Sequence, residues 1–274
     1  MSTTITAADI NKLRQTTGAG MLDCRKALTE SNGDFEAAID WLRKQGQKVA
    51  AKRSDREAKE GVVIAQTTAD HKSGIVLCLS AETDFVSRNP EFVAFAQTIA
   101  DAAIANNVKT TDELKAAKVG NETVADMIND KLAAIGEKIE LSRFERVDAP
   151  FVASYIHGAY RMGVLVSMTK EAADAGKDVA MQIAAMNPLA VDETSISQET
   201  KDREKAIAIE MIKAEGKPAE MAEKIADGKM NKFFKDNTLM AQAFVKDNSK
   251  SVADYLKSVD AELKVTDFKR VALG

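Results

Sequence analysis

The sequence predicts a mixed α+β fold, and three observations indicate this class. The first 45 residues carry short amphipathic helix patterns separated by glycine turns. Two later regions, which begin at residues 61 and 149, contain paired runs of β-branched and apolar residues that are typical of antiparallel hairpins. Residues 198–236 are rich in charged side chains and carry one narrow apolar stripe, as in a helical hairpin.

The first predicted unit, residues 1–46, is a bundle of short helices. Thr6 and Asp9 predict a capping box at the start of a helix over Ala7–Thr16. A second helix is expected over Gly20–Ser31. After a Ser-Asn-Gly turn, Asp34 is expected to cap a third helix that ends at Gln45.

Residues 47–60 are predicted to be a linker. Their composition is compatible with a helix, but they show almost no apolar stripe, so we expect a solvated and partly helical connector. Seven basic residues lie between Arg43 and Glu60, and a binding patch is therefore the alternative interpretation.

Residues 61–148 are predicted to form the first α/β subdomain. The runs "GVVIAQTT" and "SGIVLCLSAE" predict a hairpin, and "KIELSRFERVDA" predicts a further strand. Helices are expected between these strands, over Pro90–Asn106, Asp112–Ala117 and Glu122–Gly136.

Residues 149–274 are predicted to form a second subdomain. The runs "FVASYIHG" and "GVLVSMTK" predict its hairpin, and "ELKVTDFKRVAL" predicts its last strand. Helices are expected over Gly176–Met186 and Ser251–Ala261.

A helical hairpin is predicted as an insertion at about residues 198–236. Its helices, Glu199–Glu215 and Pro218–Asp236, are joined by a Gly-Lys-Pro turn in which glycine ends one helix and proline starts the next. Such an arm is suited to contacting another chain. We expect its seam to place one set of apolar residues against another: Ile207, Met211 and Ile212 against Met221, Ile225 and Phe233.

A faint internal repeat relates the two subdomains. Gly74 followed by "IVLCLSAE" resembles Gly163 followed by "VLVSMTKE", and a short connector and a helix come after each run. The second copy has no counterpart of Thr83-Asp84-Phe85. Residues needed only for packing should recur in both copies, so this tripeptide is a candidate for function.

Composition excludes several classes of protein. The net charge of −4 and the pI of about 5.5 argue against a nucleic-acid binder that works through bulk positive charge. No apolar run approaches the roughly 20 residues that span a bilayer. Cys24 and Cys78 lie far apart in apolar patterns, which indicates two reduced core thiols in a cytosolic protein.

The residue pattern offers little catalytic chemistry. His71 and His157 are the only histidines, and with Cys24 and Cys78 they match no metal-binding spacing. No phosphate-cradling glycine loop follows a strand. A catalytic pair of Asp84 with His157 stays open as an alternative. The residues that stand out are of the kind used in docking: Met21, Asp84, Phe85, His157 and Phe244.

Several segments resemble bacterial elongation factor Ts, in the same order along the chain. They are "TGAGMLDCRKALTESNGDFEAAIDWLR", "SAETDFVSRNPEF", "AAIGEKIELSRF", "SYIHGAYRMGVLV" and "MNKFFKDNTLMAQAFVKD". The resemblance implies a cytoplasmic exchange factor for the GTPase elongation factor Tu, with no active site, metal or cofactor of its own. It implies an N-terminal bundle like a ubiquitin-associated domain, two related α/β subdomains, and an inserted hairpin that makes a homodimer or a two-plus-two complex.

The resemblance also assigns roles to residues of this chain. Thr83, Asp84, Phe85 and Val86 match the motif that enters the GTPase near its magnesium ion. The other residues expected to contact the partner are Met21, Leu22, Arg25, Arg53, Ile135, Gly136, His157, Phe244 and Val245. In the family's Gln-Pro-Phe-Val segment, Ala243 here replaces the proline and Lys246 follows the valine.

Two other functions stay open at this point. One is a scaffold whose bundle binds a ubiquitin-like or helical partner, with the α/β part as its platform. The other is a small-molecule enzyme that uses Asp84. For Phe85, the plain alternative is that it closes the core between a strand and a helix. Met21 and Leu22 are likewise either core residues or docking residues.

Overall fold

The computed structural model describes residues 5–53, 55–216 and 218–274. Its N-terminal part consists of α1 (Ala7–Thr17), α2 (Met21–Glu30) and α3 (Phe35–Lys52). The predicted capping box is present, because the Asp9 amide donates to Thr6 Oγ1 and the Thr6 amide donates to the Asp9 carboxylate. Buried side chains of the three helices and of the turn between α1 and α2 form a small separate core: Leu13, Ala19, Cys24, Ala27, Leu28, Ala38 and Leu42.

The first subdomain begins after α3. In chain order its elements are β1 (Glu60–Thr67), β2 (Ser73–Ala81), α4 (Asp84–Ser87), α5 (Pro90–Ala105), α6 (Thr111–Ala116), β3 (Lys118–Val119), β4 (Glu122–Thr123), α7 (Val124–Ile135) and β5 (Ile139–Asp148). The main sheet has the order β1-β2-β5, and its neighbours are antiparallel. Helices α5 and α7 cover one face of it with a core that includes Phe92, Ile99 and Leu132.

The prediction that the third helix ends at Gln45 is wrong. Helix α3 continues to Lys52, across the predicted boundary at residue 46. The reason is a close crossing with α7, since a Cβ atom on Gly46 would lie only 2.8 Å from the Ala133 Cβ atom. A glycine-mediated crossing leaves no apolar stripe in the sequence, so the pattern assigned residues 47–52 to a partly helical linker and not to the third helix.

The second subdomain follows directly. Its elements are β6 (Phe151–His157), β7 (Met162–Met168), α8 (Ala173–Met186), a 3₁₀ turn (Glu193–Ser195), α9 (Gln198–Ala214), α10 (Ala219–Asn237), β8 (Ala243–Phe244), β9 (Asp247–Ser251), α11 (Val252–Val259) and β10 (Val265–Ala272). The sheet order is β10-β7-β6, again antiparallel. Helix α8 begins three residues before the predicted Gly176.

The topology confirms the internal repeat. In each subdomain a hairpin is followed by helices, and a late strand then pairs with the second strand of the hairpin. β1, β2 and β5 therefore correspond to β6, β7 and β10. The predicted fold class, a helical bundle with two related antiparallel α/β subdomains and a helical hairpin, agrees with this architecture.

The two sheets pack face to face, and glycine makes their closest approach possible. A Cβ atom on Gly163 would lie 2.9 Å from methyl groups of both Val63 and Val76. On the other sheet, a Cβ atom on Gly74 would lie 2.7 Å from a methyl group of Val152. These two glycines are the first residues of the repeated runs. In each copy the glycine therefore leaves space that a valine side chain of the other copy fills.

The seam of the helical hairpin differs from the prediction. Ile212 is fully buried and Ile225 packs against the seam, as expected. Ile207, Met211 and Met221 are instead exposed by 41–56%. Alanines fill the seam in their place: Ala208, Ala222 and Ala226. Small residues let the helices approach closely, which turns the larger side chains outward. Lys217, within the predicted turn, lies outside the described residues.

Two further features complete the fold. The run "TLMAQAFVKDNS", for which the pattern indicated no element, contains the short strand β8 and the beginning of β9, which pair with each other. Among the helices of the described residues, none has the length and apolar character required to cross a membrane.

We predict that Gly163→Ala destabilises the protein by about 1–3 kcal/mol, because the added methyl group overpacks the contact between the sheets. Chemical denaturation should reveal the loss. Gly228→Ala is the matched control, since Gly228 lies in α10 with open space around its Cα atom. This control should gain up to about 1 kcal/mol from helix propensity. Equal stability of the Gly163→Ala and parent proteins would contradict the packing argument.

Candidate functional site

Phe85 lies on the surface and is not a core residue. After β2 ends at Ala81, the single helical turn α4 carries Asp84, Phe85, Val86 and Ser87. Each helical residue is rotated by about 100° from the one before it, so one turn points its side chains in all directions. Ser87 is buried and Val86 packs against the core, whereas Phe85 is 87% exposed. A large aromatic side chain is thus held outward by a turn that is anchored on its other side.

Two carboxylates lock the end of β2 to the start of β5. Glu82 Oε1 accepts a hydrogen bond from the Lys138 amide at 2.5 Å. Reciprocally, Glu137 accepts from the Thr83 amide at 3.1 Å and from the Thr83 hydroxyl at 2.9 Å. The pairing of the two strands ends at Ala81 and Ile139, so these bonds continue the connection beyond the sheet. Thr83 is the residue immediately before α4, and this lock therefore fixes the turn that carries Phe85.

The segment after α3 is tied to the same carboxylate. Arg53 Nη1 lies 2.9 Å from Glu82 Oε1, and Arg56 Nη1 lies 2.9 Å from Glu82 Oε2. The hydrogen bond from the Lys138 amide, with those from Arg56 and Arg53, lowers the pKa of Glu82 from 4.5 to about 2 against the opposing effect of burial. Arg53, predicted to contact a partner, is already engaged within the chain, and its side chain is only 23% exposed.

Asp84 is held more loosely than its neighbours. Its carboxylate lies 3.2 Å from Arg88 Nη2, one turn further along, and both side chains are open to solvent. Such a surface ion pair contributes little stability, and either charge can exchange it for another partner. His157 does not share this pair, because its Nδ1 lies 3.0 Å from the Tyr155 hydroxyl. Asp84 and His157 thus have separate partners.

An open groove of about 590 Å³ brings several predicted residues together. Phe85, Val86 and Ile135 line it on the side of the first subdomain, and Thr16–Gly18 line it on the side of the helical bundle. Ile135 is 38% exposed at the last turn of α7. Gly136 ends that helix with a φ of 78°, a left-handed conformation that favours glycine.

A second open groove, of about 550 Å³, lies between α4 and the turn after β6. Arg88 and Ser87 line one side, and Gly158–Arg161 line the other. His157 is exposed and directly precedes this turn. Tyr160, with a φ of 67°, is held in place because its carbonyl accepts from the Val63 amide at 2.8 Å. Sequence reasoning missed Arg88 and Tyr160, although an aromatic residue beside a glycine turn is a usable signal in a chain with 5% aromatics.

The helical bundle contacts the first subdomain near the site, where α3 of the bundle packs against α7. Arg43 forms ion pairs with Glu122 and Asp130 across this contact, and burial raises the pKa of Asp130. At the start of α2, Met21 is 44% exposed and Leu22 is 81% exposed. Arg25 is exposed on the same helix. Met21 and Leu22 thus lie outside the bundle core, and their role in docking stays a prediction.

Phe244 requires a correction. It is 4% exposed and stacks on Tyr255, with ring centroids 4.1 Å apart. The side chain predicted to contact a partner therefore belongs to the core of the second subdomain. Its neighbour Val245 is 39% exposed and remains available. Alternation along an extended segment explains this, since consecutive side chains point to opposite sides.

The described residues contain no group of three or more His, Cys, Asp or Glu side chains that could hold a metal ion. Cys24 and Cys78 are buried and not disulfide-bonded, as predicted for core thiols. Burial raises the pKa of Cys24, which keeps this thiol protonated and unreactive. The features that converge on α4 are thus an exposed aromatic ring, a loosely paired carboxylate and two open grooves.

Comparisons with known proteins show which family the sequence is similar to. A family profile described as "Elongation factor TS" matches residues 82–274. The chain is 50% identical to elongation factor Ts of Christiangramia forsetii, over 98% of this chain and 99% of that protein. It is 50% identical to elongation factor Ts of Flavobacterium psychrophilum, over 99% of both chains. It is 47% identical to elongation factor Ts of Xanthobacter autotrophicus, over 98% of this chain and 92% of that protein.

We predict that Glu82→Gln lowers the free energy of unfolding at pH 7 by about 1 kcal/mol, because bonds to a charged acceptor become weaker. The folded-state pKa of Glu82 lies below its unfolded value, so the stabilisation is complete above pH 4.5 and is lost as the pH falls toward 2. Urea titrations across this range should show the two proteins converging at low pH.

Glu140→Gln serves as the control for Glu82→Gln. The Glu140 carboxylate is half-exposed, and within the described part of the chain its ion pair is with Lys138 Nζ at 3.3 Å, so the stability of this variant should stay close to that of the parent protein. A difference between Glu82→Gln and the parent that stays constant from pH 7 to pH 3 would contradict the assigned role of the Glu82 charge.

Proposed function

The chain belongs to the elongation factor Ts family, and we propose that it acts in translation elongation as the guanine-nucleotide exchange factor of the GTPase elongation factor Tu. The proposed partner is a protein, and the proposed setting is the cytoplasm, where the elongation cycle runs. The protein would bind the GDP form of the GTPase, disturb its magnesium and phosphate site, and promote GDP release. The observation that carries this proposal is the exposure of Phe85 on a locked helical turn.

The exposed ring of Phe85 has the properties of a binding anchor. Moving a phenylalanine side chain from water into an apolar slot contributes about 1.5–3 kcal/mol. The lock between residues 82–83 and 137–138 means that little conformational freedom is lost on binding. Anchors of this kind commonly cost more than about 2 kcal/mol when they are truncated.

Exchange requires differential binding and no bond breakage. A nanomolar nucleotide complex is worth about 12 kcal/mol, and much of the hold on the phosphates passes through a magnesium ion. A factor that binds the empty GTPase more tightly than the loaded GTPase weakens nucleotide binding. By thermodynamic linkage, bound nucleotide weakens the binding of the factor by the same amount. In our proposal Phe85 acts as a wedge that moves a partner element away from the magnesium ion. Asp84 either repels phosphate or competes for a donor that held it.

The remaining surface residues extend the proposed contact. Ile135 lines the same groove as Phe85 and Gly136 directly follows it, while His157 directly precedes the turn that lines the groove on the other side of α4. Met21, Leu22 and Arg25 extend the contact onto the helical bundle. We include Val245 as a separate contact of the second subdomain. Arg53 has a supporting role in this proposal, because its guanidinium is bound to Glu82.

We further propose that the helical hairpin joins two copies, either as a homodimer or as a two-plus-two complex with the GTPase. Its outward apolar side chains support this, since Met211 is 56% exposed and Met221 is 54% exposed. Ile207 of the same hairpin is also exposed, and several exposed apolar side chains on one short arm are typical of an interaction site.

We predict that Phe85→Ala folds normally and stimulates GDP release from elongation factor Tu at least about tenfold less, as expected for the loss of about 1.4 kcal/mol or more. Stopped-flow release of a fluorescent GDP analogue measures this. Val259→Ala is the control, because Val259 is a 49% exposed apolar residue outside the proposed contact. Unchanged release rates with Phe85→Ala would overturn the wedge mechanism.

The same purified proteins distinguish exchange from the scaffold alternative. An exchange factor forms a stoichiometric complex with elongation factor Tu that GDP and magnesium dissociate. A scaffold that binds through the helical bundle would hold its partner whatever nucleotide is present. An enzyme acting on a small molecule would form no complex at all. Gel filtration with and without GDP and magnesium therefore separates the three functions.

We predict that combined Met211→Lys and Met221→Lys substitutions shift the protein toward the monomer and halve the mass of a two-plus-two complex. Two charges placed in an apolar contact oppose association. Analytical ultracentrifugation, with and without elongation factor Tu, measures both masses. Gln198→Lys adds a charge at an exposed position near the start of the hairpin and should change neither. A parent protein that is monomeric alone and forms only a one-to-one complex with elongation factor Tu would refute the proposed role of the hairpin.

A further inference from the structure

The segment that carries Val245 has little backbone support of its own. Its strand β8 contains only Ala243 and Phe244, and its pairing with β9 shifts register between them, so that Ala243 is opposite Ser251 and Phe244 is opposite Asp247. A two-residue strand with an irregular register cannot by itself hold a side chain in a fixed position. The support comes from elsewhere in the subdomain.

Gln182 of α8 provides that support with its side-chain amide. It is fully buried, and its Nε2 donates to the Ala243 carbonyl at 3.1 Å and to Gln242 Oε1 at 3.2 Å. Its Oε1 accepts from the Val245 amide at 2.8 Å. The amide thus bonds to the backbone on both sides of Phe244, as a neighbouring strand would.

One helical turn earlier, Asp178 holds the other end of the segment. Its Oδ1 accepts from Lys246 Nζ at 2.5 Å, and its Oδ2 accepts from the Tyr255 hydroxyl at 2.9 Å. Tyr255 in turn stacks on Phe244. Residues four apart lie on one face of a helix, so Asp178 and Gln182 together hold the backbone and side chains around Val245.

We propose that Gln182, assisted by Asp178, is the positioning residue that presents Val245 to the partner GTPase. This inference rests on the proposed function, and it assigns to α8 a role that the exposed surface does not reveal. Val245 is an apolar contact, so its partner surface should be an apolar patch that accepts one small branched side chain. Packing alone does not account for Gln182, because an apolar residue would fill the site but leave the Val245 amide and the Ala243 carbonyl without a bond.

The test is a double-mutant cycle in the full-length protein. Gln182→Met keeps the side-chain length and removes the three hydrogen bonds, while Val245→Ala removes the contact itself. We expect each single change to weaken binding to nucleotide-free elongation factor Tu by about fivefold or more, on the scale of one hydrogen bond or one buried branched side chain. The double variant should bind as tightly as whichever single variant has the lower affinity. Gln182 acts through Val245, so the two losses of affinity should not add.

Amide hydrogen exchange in the free protein gives a readout that needs no partner. With Gln182→Met, the Val245 amide should exchange faster, whereas the Val252 amide should stay protected because it donates to the Gln242 carbonyl at 3.0 Å. Gln97→Met is the control, since Gln97 Nε2 forms side-chain bonds with Gln66 and Asp101 in the first subdomain. This control should change neither Val245 exchange nor binding.

If Gln182→Met does not fold, Lys246→Met provides a second test of the same support for Val245. Lys246 is half-exposed, so this variant loses only its bond to Asp178 and should fold, and its effect on binding should likewise disappear in a Val245→Ala background. If the losses of affinity caused by Gln182→Met and Val245→Ala multiply in the double variant, the inference is overturned. That result would leave the proposed exchange function intact. A Val245→Ala variant that binds normally would also overturn it, while the exchange function itself is judged by Phe85→Ala.

Discussion

The contact between the two sheets at Gly74 and Gly163 is the constraint on which the rest of the structure depends. Each glycine leaves space for side chains of the opposite sheet, and an added methyl group would be within 3 Å of its neighbours at both positions. Because the sheets meet so closely, the turn after β6 rests on β1 through the bond between Val63 and Tyr160. The groove beside α4 exists because the second subdomain is held at this distance from the first.

In both copies of the repeat, polar contacts connect the end of the middle strand to the segment before the last strand. In the first copy, Glu82 and Glu137 tie the end of β2 to the start of β5. In the second copy, Lys170 lies just after β7 and forms ion pairs with Asp260 and Glu262, just before β10. Both joins stabilise the end of the middle strand. Only in the first copy does the next residue begin a helical turn that presents an exposed aromatic ring. The asymmetry seen in the sequence thus has a structural counterpart.

Polar groups support an exposed apolar side chain at two places in the molecule. Phe85 is supported by two carboxylates, and Val245 is supported by the amide of Gln182 and the carboxylate of Asp178. In both cases buried or half-buried polar groups bond to the backbone beside an exposed apolar side chain. An exchange factor benefits from this arrangement, because binding energy that is not used to order the factor is available to distort the partner.

Local patterns in the sequence determined most element types and the capping box of Thr6 and Asp9, because these signals depend on neighbouring residues alone. The repeat emerged from comparing two runs of the same chain, and the motif around Phe85 was recognised from the resemblance to a known family. The tertiary structure decided what no local pattern contains. It extended α3 past Gln45, because Gly46 crosses α7. It buried Phe244 and exposed Val245, and it turned Met211 outward, because alanines fill the hairpin seam. Burial depends on what packs against a residue, and that partner is usually distant in sequence.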